Sequence, residues 1–382
     1  MLNLDSIYAS LSWHPGSWRD KERRHMPDYQ GKQLPAVLKQ LSRLPGLVDE
    51  SEILRLRRAL VRAAEGKEFV QLMGQRDQSL NDASAASLDQ RLKALESLSR
   101  YLALMLGQPV LSIGSVTGSY GRTQPQATEI LGGATLDRYF GEMVNCREAT
   151  PWARRPDPNR LLWAYEASQA AMQVLRNKES AVHTTHECAH LEYEEALVRR
   201  ARNAKFYATS ASLLWIDGCN LFNDSCYVEF ARGLENPIAL RLSEAVDPGV
   251  LIEAVEQLNP ERQTGKILLI ASAGDAPDVL GETIRVLQAR RSPVIWLCDP
   301  LNAQDSRRHT ASLAQNVARE WDQTLRLHRT VDSQLHGIAL EVRNSDSNRL
   351  APEPDENPGA FFDFQKTLQL CSHLAHVYRE SP

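Results

Sequence analysis

The sequence predicts an α/β fold: a parallel (β/α)8 barrel, preceded by an N-terminal arm and carrying extra helices. Three observations point to it. Eight short apolar runs recur along the chain from residue 69 to residue 342. Stretches of helical periodicity lie between them, and strand–helix alternation over such a length indicates a parallel sheet. The last four runs are nearly continuous in apolar residues, the pattern of strands covered on both faces. Eight strands favour a closed barrel over an open doubly wound sheet.

The elements follow in order. The first 35 residues are rich in Trp, Pro, Arg and His and read as an irregular arm, with Trp13 and Trp18 packing onto the body. Residues 36–65 carry apolar positions at helical spacing, broken by Pro45-Gly46, and predict two helices. We divide the chain into an arm with helices over 1–65 and a barrel over 66–382. The predicted strands are 69–74, 109–115, 140–146, 208–216, 237–243, 266–272, 293–299 and 337–342. The predicted helices are 86–106, 160–176, 190–203, 248–258, 276–290 and 310–328. The polar, Pro-rich stretch 343–360 reads as a long loop.

Composition narrows the function. The 382 residues are 42% hydrophobic and 24% charged, with a net charge of -4. That balance argues against a nucleic-acid partner or a polybasic membrane anchor. No run approaches the roughly 18 apolar residues that span a bilayer. The N-terminus lacks a basic start followed by an apolar stretch. Six scattered cysteines with no CxxC pair read as reduced thiols, so a cytoplasmic location is expected. Cys219 and Cys226 read as packed thiols rather than nucleophiles.

One local motif carries chemistry of its own. His186-Glu187-Cys188-Ala189-His190 spells HExxH. On a helix its two imidazoles would share one face and could hold a zinc, with Glu187 activating water. A zinc hydrolase is therefore one reading of the chain.

In a (β/α)8 barrel the chemistry sits at the C-terminal ends of the strands. The segments SWHPGSWR (12–19), ARRPDPNRLLWAYEASQAA (153–171), TTHE (184–187), LEYEEALVR (191–199), SASLLWI (210–216), VEFARGLENPI (228–238), VIWLCDP (294–300) and GIALEV (337–342) fall there and on the flanking helices. In order and spacing, over almost the whole chain, they resemble class II 3-deoxy-D-arabino-heptulosonate-7-phosphate (DAHP) synthases. The resemblance implies a TIM barrel, usually assembled as a homo-oligomer; for this chain a homodimer is expected. It also implies an aldol-type transferase that condenses phosphoenolpyruvate (PEP) with erythrose 4-phosphate, opening the shikimate pathway to the aromatic amino acids. It implies a divalent cation, manganese or cobalt, held by a Cys, a His, a Glu and an Asp. Both substrates are strongly anionic, so such a site needs several cations.

At the positions that resemblance singles out, this chain departs. Arg76 stands where the ligand Cys is expected, and Asn302 where the His is. Glu341 matches the ligand Glu, and Gly359 falls at the Asp. A guanidinium stays protonated and has no lone pair to offer a metal. Ser115, Gly218, Cys219 and Ser272 replace acidic or basic residues that would grip PEP, while Arg122 and Arg241 each replace a Lys. Arg154 and Arg155 match a basic pair that could meet a phosphate, and Trp215 could line the pocket. His186-Glu187 fits the family's Ser-His-Glu, which makes the HExxH spelling a coincidence of His190. The expectation is therefore a divergent member with degraded metal and PEP sites: a pseudoenzyme, or a homologue repurposed within aromatic or specialised metabolism, with no cofactor. Substrate contacts, if any, fall to Arg122, Arg154, Arg155, His186, Glu187, Trp215 and Arg241, and Arg76 is expected to fill the metal's place beside Glu341. The ligand is expected to be a phosphorylated small molecule, or the partner a pathway protein. An active DAHP synthase is the alternative.

Overall fold

The computed structural model describes residues 13–29, 32–74, 78–242, 246–274, 276–300, 313–341 and 364–379. Its centre is a closed parallel barrel of eight strands. In chain order these are β1 (Phe69–Gly74), β2 (Val110–Ser115), β5 (His183–Glu187), β8 (Leu213–Asp217), β9 (Ile238–Arg241), β10 (Ile267–Ala271), β11 (Val294–Cys298) and β12 (Gly337–Glu341). β1 closes the ring between β2 and β12, with Gly74 level with both Ser115 and Glu341. Two antiparallel hairpins complete the strands: β3 (Thr128–Leu131) with β4 (Ala134–Asp137), and β6 (Val198–Arg200) with β7 (Phe206–Ala208).

Seven of the expected strands are present; the eighth differs. Residues 140–146 form no strand. Gly141 adopts a φ of 107°, and its backbone lies so close to Tyr120 and Gly121 that a side chain would collide. Phe140, Met143 and Val144 are apolar because they are buried under the loop, not because they form a strand. The eighth strand is β5, whose sequence His-Thr-Thr-His-Glu carries no apolar signal. The helix expected over 190–203 covers only Leu191–Ala196, after which the β6–β7 hairpin begins.

The remaining helices lie near their expected positions. Gln33–Leu41 and Glu50–Ala64 precede the barrel. Asp49 caps the second: its carboxylate accepts the Glu52 amide at 2.9 Å, and Glu52 returns a bond to the Asp49 amide. That helix plugs the N-terminal end of the barrel. Its buried Leu56, Ala59, Leu60 and Ala63 join one apolar cluster with the inward residues of the strands, including Val70, Ile113, Leu213, Ile270 and Leu297. Helices Ala85–Leu106, Asn159–Asn177, Pro248–Leu258, Pro277–Ala289 and Leu313–Thr330 cover the outside, and Phe364–Arg379 packs on Ala85–Leu106.

The arm follows the expectation. Trp18 is fully buried, its indole N–H donating to Glu195 at 2.8 Å, and Trp13 donates to the Glu229 carbonyl at 2.9 Å. All six cysteines are free thiols. No helix among the described residues is long and apolar enough to cross a membrane. The loop 343–360, Arg76, Asn302 and Gly359 lie outside the described residues.

Candidate active site at the barrel mouth

A cavity of about 450 Å³ opens at the C-terminal ends of the strands. Apolar walls come from Leu72, Trp215, Ile270, Ala339 and Leu340. Its polar groups are Ser115, Thr185, Arg241, Asp299 and Glu341. Strand alternation explains the set: Ile270 and Ala339 point inward at the second-last or central position of their strands, and the terminal residues lie at the rim.

The central interaction is a buried ion pair. The Arg241 guanidinium donates twice to one Asp299 oxygen, from Nε at 2.6 Å and Nη2 at 2.5 Å. Both side chains are nearly sealed from water, at 12% and 4% exposure. Burial opposes the charge on Arg241, but Asp299, then Asp217 and Glu341, more than offset it, so its pKa lies above the usual arginine value. Arg241 is thus faced by three carboxylates. It is also the only basic residue on the cavity wall among the described residues.

Beside the mouth, Glu187 at the end of β5 accepts the Thr123 amide at 3.1 Å and its hydroxyl at 2.5 Å. Thr123 follows Arg122, which is half-buried and fixed through its backbone N–H to the Phe140 carbonyl at 2.9 Å. Cys219 lies close by, 3.8 Å from the Thr123 hydroxyl. Burial, with Asp217 and Glu187 nearby, pushes its thiol up to about 12, so it is protonated and a poor nucleophile near neutrality.

The structure brings Trp215, Arg241 and Glu341 together in the mouth, with Glu187 and Arg122 alongside. It does not bring in the others. His186 alternates with Thr185 and Glu187 and points out of the barrel. It is buried, with Nε2 at 2.8 Å from Glu194, whose other oxygen accepts from Ser210 at 2.5 Å. Gly118, at a φ of 84°, lies against His186 Nδ1, where any side chain would clash. Arg154 is sealed into the protein, donating to the carbonyls of Arg147 and Glu148 at 3.1 Å and pairing with Glu129. Arg155 is exposed at the end of a short helix.

The HExxH reading fails on geometry. His186 and Glu187 belong to strand β5, and His190 precedes the following helix as its N-cap. The imidazoles therefore lack the one-turn spacing on a helix face that the zinc motif needs. Burial lowers His190 to about 4, so it is neutral. The sequence expectation also passed over Asp299. Its signal was available: it is an acid directly after strand β11, and Arg241 ends strand β9 two strands away around the ring.

The topology, with polar and ionisable groups gathered at the C-terminal ends of the strands, defines a (β/α)8 barrel with its candidate site at the usual face. The chain belongs to the class II DAHP synthetase family, whose model matches residues 13–181 and 177–349. It is 27% identical to phospho-2-dehydro-3-deoxyheptonate aldolase of Neurospora crassa, over 86% of this chain and 84% of that protein. It is 25% identical to the enzyme of the same name from Streptomyces coelicolor, over 92% of each. The structure of phospho-2-dehydro-3-deoxyheptonate aldolase from Francisella tularensis superposes with a TM-score of 0.54 at 13% identity, covering 94% of this chain and 97% of that one. This last likeness speaks to the fold alone.

The family's divalent metal can be tested against the donors present. Of the positions where ligands are expected, only Glu341 lies among the described residues. Glu341 contributes to the field around Arg241, and Asp299 is already bonded to that guanidinium. Among the described residues no three His, Cys, Asp or Glu side chains converge on one point. The donors among the described residues do not by themselves make up a site for the family's metal.

Proposed function

We propose that this chain is a repurposed member of the class II DAHP synthase family, keeping the barrel and its mouth but not the metal-dependent condensation of PEP with erythrose 4-phosphate. The observation that carries this reading is the state of Arg241. A site for two phosphorylated substrates needs cations facing the cavity. Here the basic residue of the described wall is bonded to Asp299 and faced by Asp217 and Glu341. The rest of the wall is five apolar side chains with Gly74 and the hydroxyls of Ser115 and Thr185, none of them cationic. Such a mouth suits a ligand smaller in charge than PEP, held by Trp215 and the aliphatic wall and oriented by the Arg241–Asp299 pair. Glu341 is then an electrostatic partner of Arg241 rather than a metal ligand.

The test is direct. Purified protein with manganese or cobalt, PEP and erythrose 4-phosphate is expected to release no phosphate above a protein-free control. Turnover at an ordinary enzyme rate, on the order of 1–10 per second, would overturn the proposal and restore the activity named for the Neurospora and Streptomyces relatives.

A further inference from the structure

A second, larger cavity lies at the opposite end of the barrel, outside the strands. It opens between the N-terminal halves of β2 and β5, the helices Ala85–Leu106 and Asn159–Asn177, and the plug helix Glu50–Ala64. Its empty volume, open to solvent, is about 2020 Å³. Val110, Met172, Leu175 and Val182 give it an apolar floor, and basic residues crowd its rim.

Those basic residues fall into two groups. Arg62 is paired with Glu68 at 2.6 Å, Arg100 with Glu96 at 3.8 Å, Arg176 with Glu52 at 3.2 Å, and Lys178 with Asp89. Arg55 and Arg58 differ: among the described residues no carboxylate pairs with either. They are exposed and three residues apart on one helix, so both guanidiniums lie on the same face. Glu179 also lines the cavity and offers a counter-charge, but it forms no ion pair with them.

The floor supplies an independent observation. Ser112, in the middle of β2, alternates with Leu111 and Ile113, which point into the barrel, so it faces outward into this cavity. It is 7% exposed, and its hydroxyl has no hydrogen-bond partner. A buried hydroxyl without a partner is destabilising and calls for an explanation, such as a ligand atom. His183, at the start of β5, lines the same cavity, and burial, with Arg55 nearby, disfavours its protonation. A neutral imidazole there keeps one N–H to donate.

We infer that the groove bounded by Arg55, Arg58, Ser112 and His183 is a binding site for a phosphate-bearing small molecule, separate from the barrel mouth. Two guanidiniums match the oxygens of a tetrahedral dianion, and the hydroxyl and imidazole complete its donors. The apolar floor accommodates the body of a phosphate ester. The site does not depend on what the mouth binds.

The test uses inorganic phosphate as the probe, titrated into the full-length protein by calorimetry at low salt. Saturable binding in the millimolar range or tighter is expected. Exchanging both arginines (Arg55→Gln with Arg58→Gln) is expected to weaken it by at least about tenfold, since each charge-assisted contact contributes strongly. Both side chains are exposed, so that variant keeps its fold, which circular dichroism and the thermal midpoint check. Ser112→Ala is expected to weaken binding by about two- to fivefold with no loss of stability, because the hydroxyl has no partner to lose. Absence of saturable binding in the wild type overturns the inference. So does affinity unchanged within about twofold in the arginine double variant, or in Ser112→Ala.

Discussion

At the scale of single residues, the mouth is organised by one buried pair, Arg241 with Asp299. The sequence marked Arg241 as a conservative stand-in for a lysine that would hold a substrate. The structure gives it a carboxylate to hold instead. Truncating one partner of a buried pair leaves the other charge uncompensated in a low-dielectric site. Arg241→Leu is therefore expected to destabilise the protein by about 3–5 kcal/mol. Adding Asp299→Asn should recover a substantial part of that loss. Urea unfolding of the two variants checks this, and equal stabilities would show that the pair is not the cause. Sequence reasoning reached the right strand ends for Trp215, Arg241 and Glu341, because a barrel's chemistry lies just past each strand. It misplaced His186 and Arg154. Nothing in the spelling of either says that the imidazole points outward to Glu194 or that the guanidinium caps the carbonyls of Arg147 and Glu148.

At the scale of elements, the plug helix Glu50–Ala64 stands out. By periodicity it belongs to the arm, and the division at residue 65 follows that reasoning. In the fold its Leu56 and Leu60 are fully buried in the same cluster as the inward side chains of the barrel. Leu60→Ala leaves a cavity where the helix closes the barrel base, and is expected to cost about 2–5 kcal/mol. A loss below about 1 kcal/mol in denaturant unfolding would mean that the base repacks and that the plug is not integral to the core. Strand β5 carries the opposite lesson. Strands covered on both faces are found by their apolar runs, but Thr184, His186 and Glu187 are buried polar residues with partners of their own, among them Ser212, Glu194 and Thr123, and Thr185 lines the polar mouth. An apolar run is not needed where most of the buried polar side chains find hydrogen-bond partners. Residues 140–146 supplied the apolar run without the strand, because burial under a loop selects the same residue types.

At the scale of the whole molecule, burial of histidines links stability to pH. Burial lowers His183, His190 and His336 to about 4 and His328 to about 3, against an ordinary value of 6.5; a nearby charge (Arg55, His186 or His336) adds to the effect for all but His336. These groups are neutral when folded, whereas the unfolded chain binds their protons below about pH 6.5. Their contribution is fully present above that pH. It falls progressively as the pH drops from about 6.5 towards 4, where the folded-state groups begin to titrate. The urea midpoint is expected to be lower near pH 5 than near pH 7.5. His328→Gln with His336→Gln should flatten that difference. A midpoint that rises on acidification would contradict the assignment.

What the sequence determined by itself is the barrel and its ancestry. Strand periodicity and matches spread over almost the whole chain are local properties, and local patterns survive change at individual sites. The expectation of an altered site at Arg76, Asn302, Gly218 and Cys219 likewise rests on residue identity alone. Only the tertiary structure decided how the remaining groups are used. Asp299 and Arg241 are 58 residues apart and meet because their strands stand two places apart in the ring. Arg55 and Ser112 reach one groove because the plug helix packs against the base of β2. Pairing, burial and side-chain direction arise from contacts remote in the chain, so they exist only once the barrel has closed.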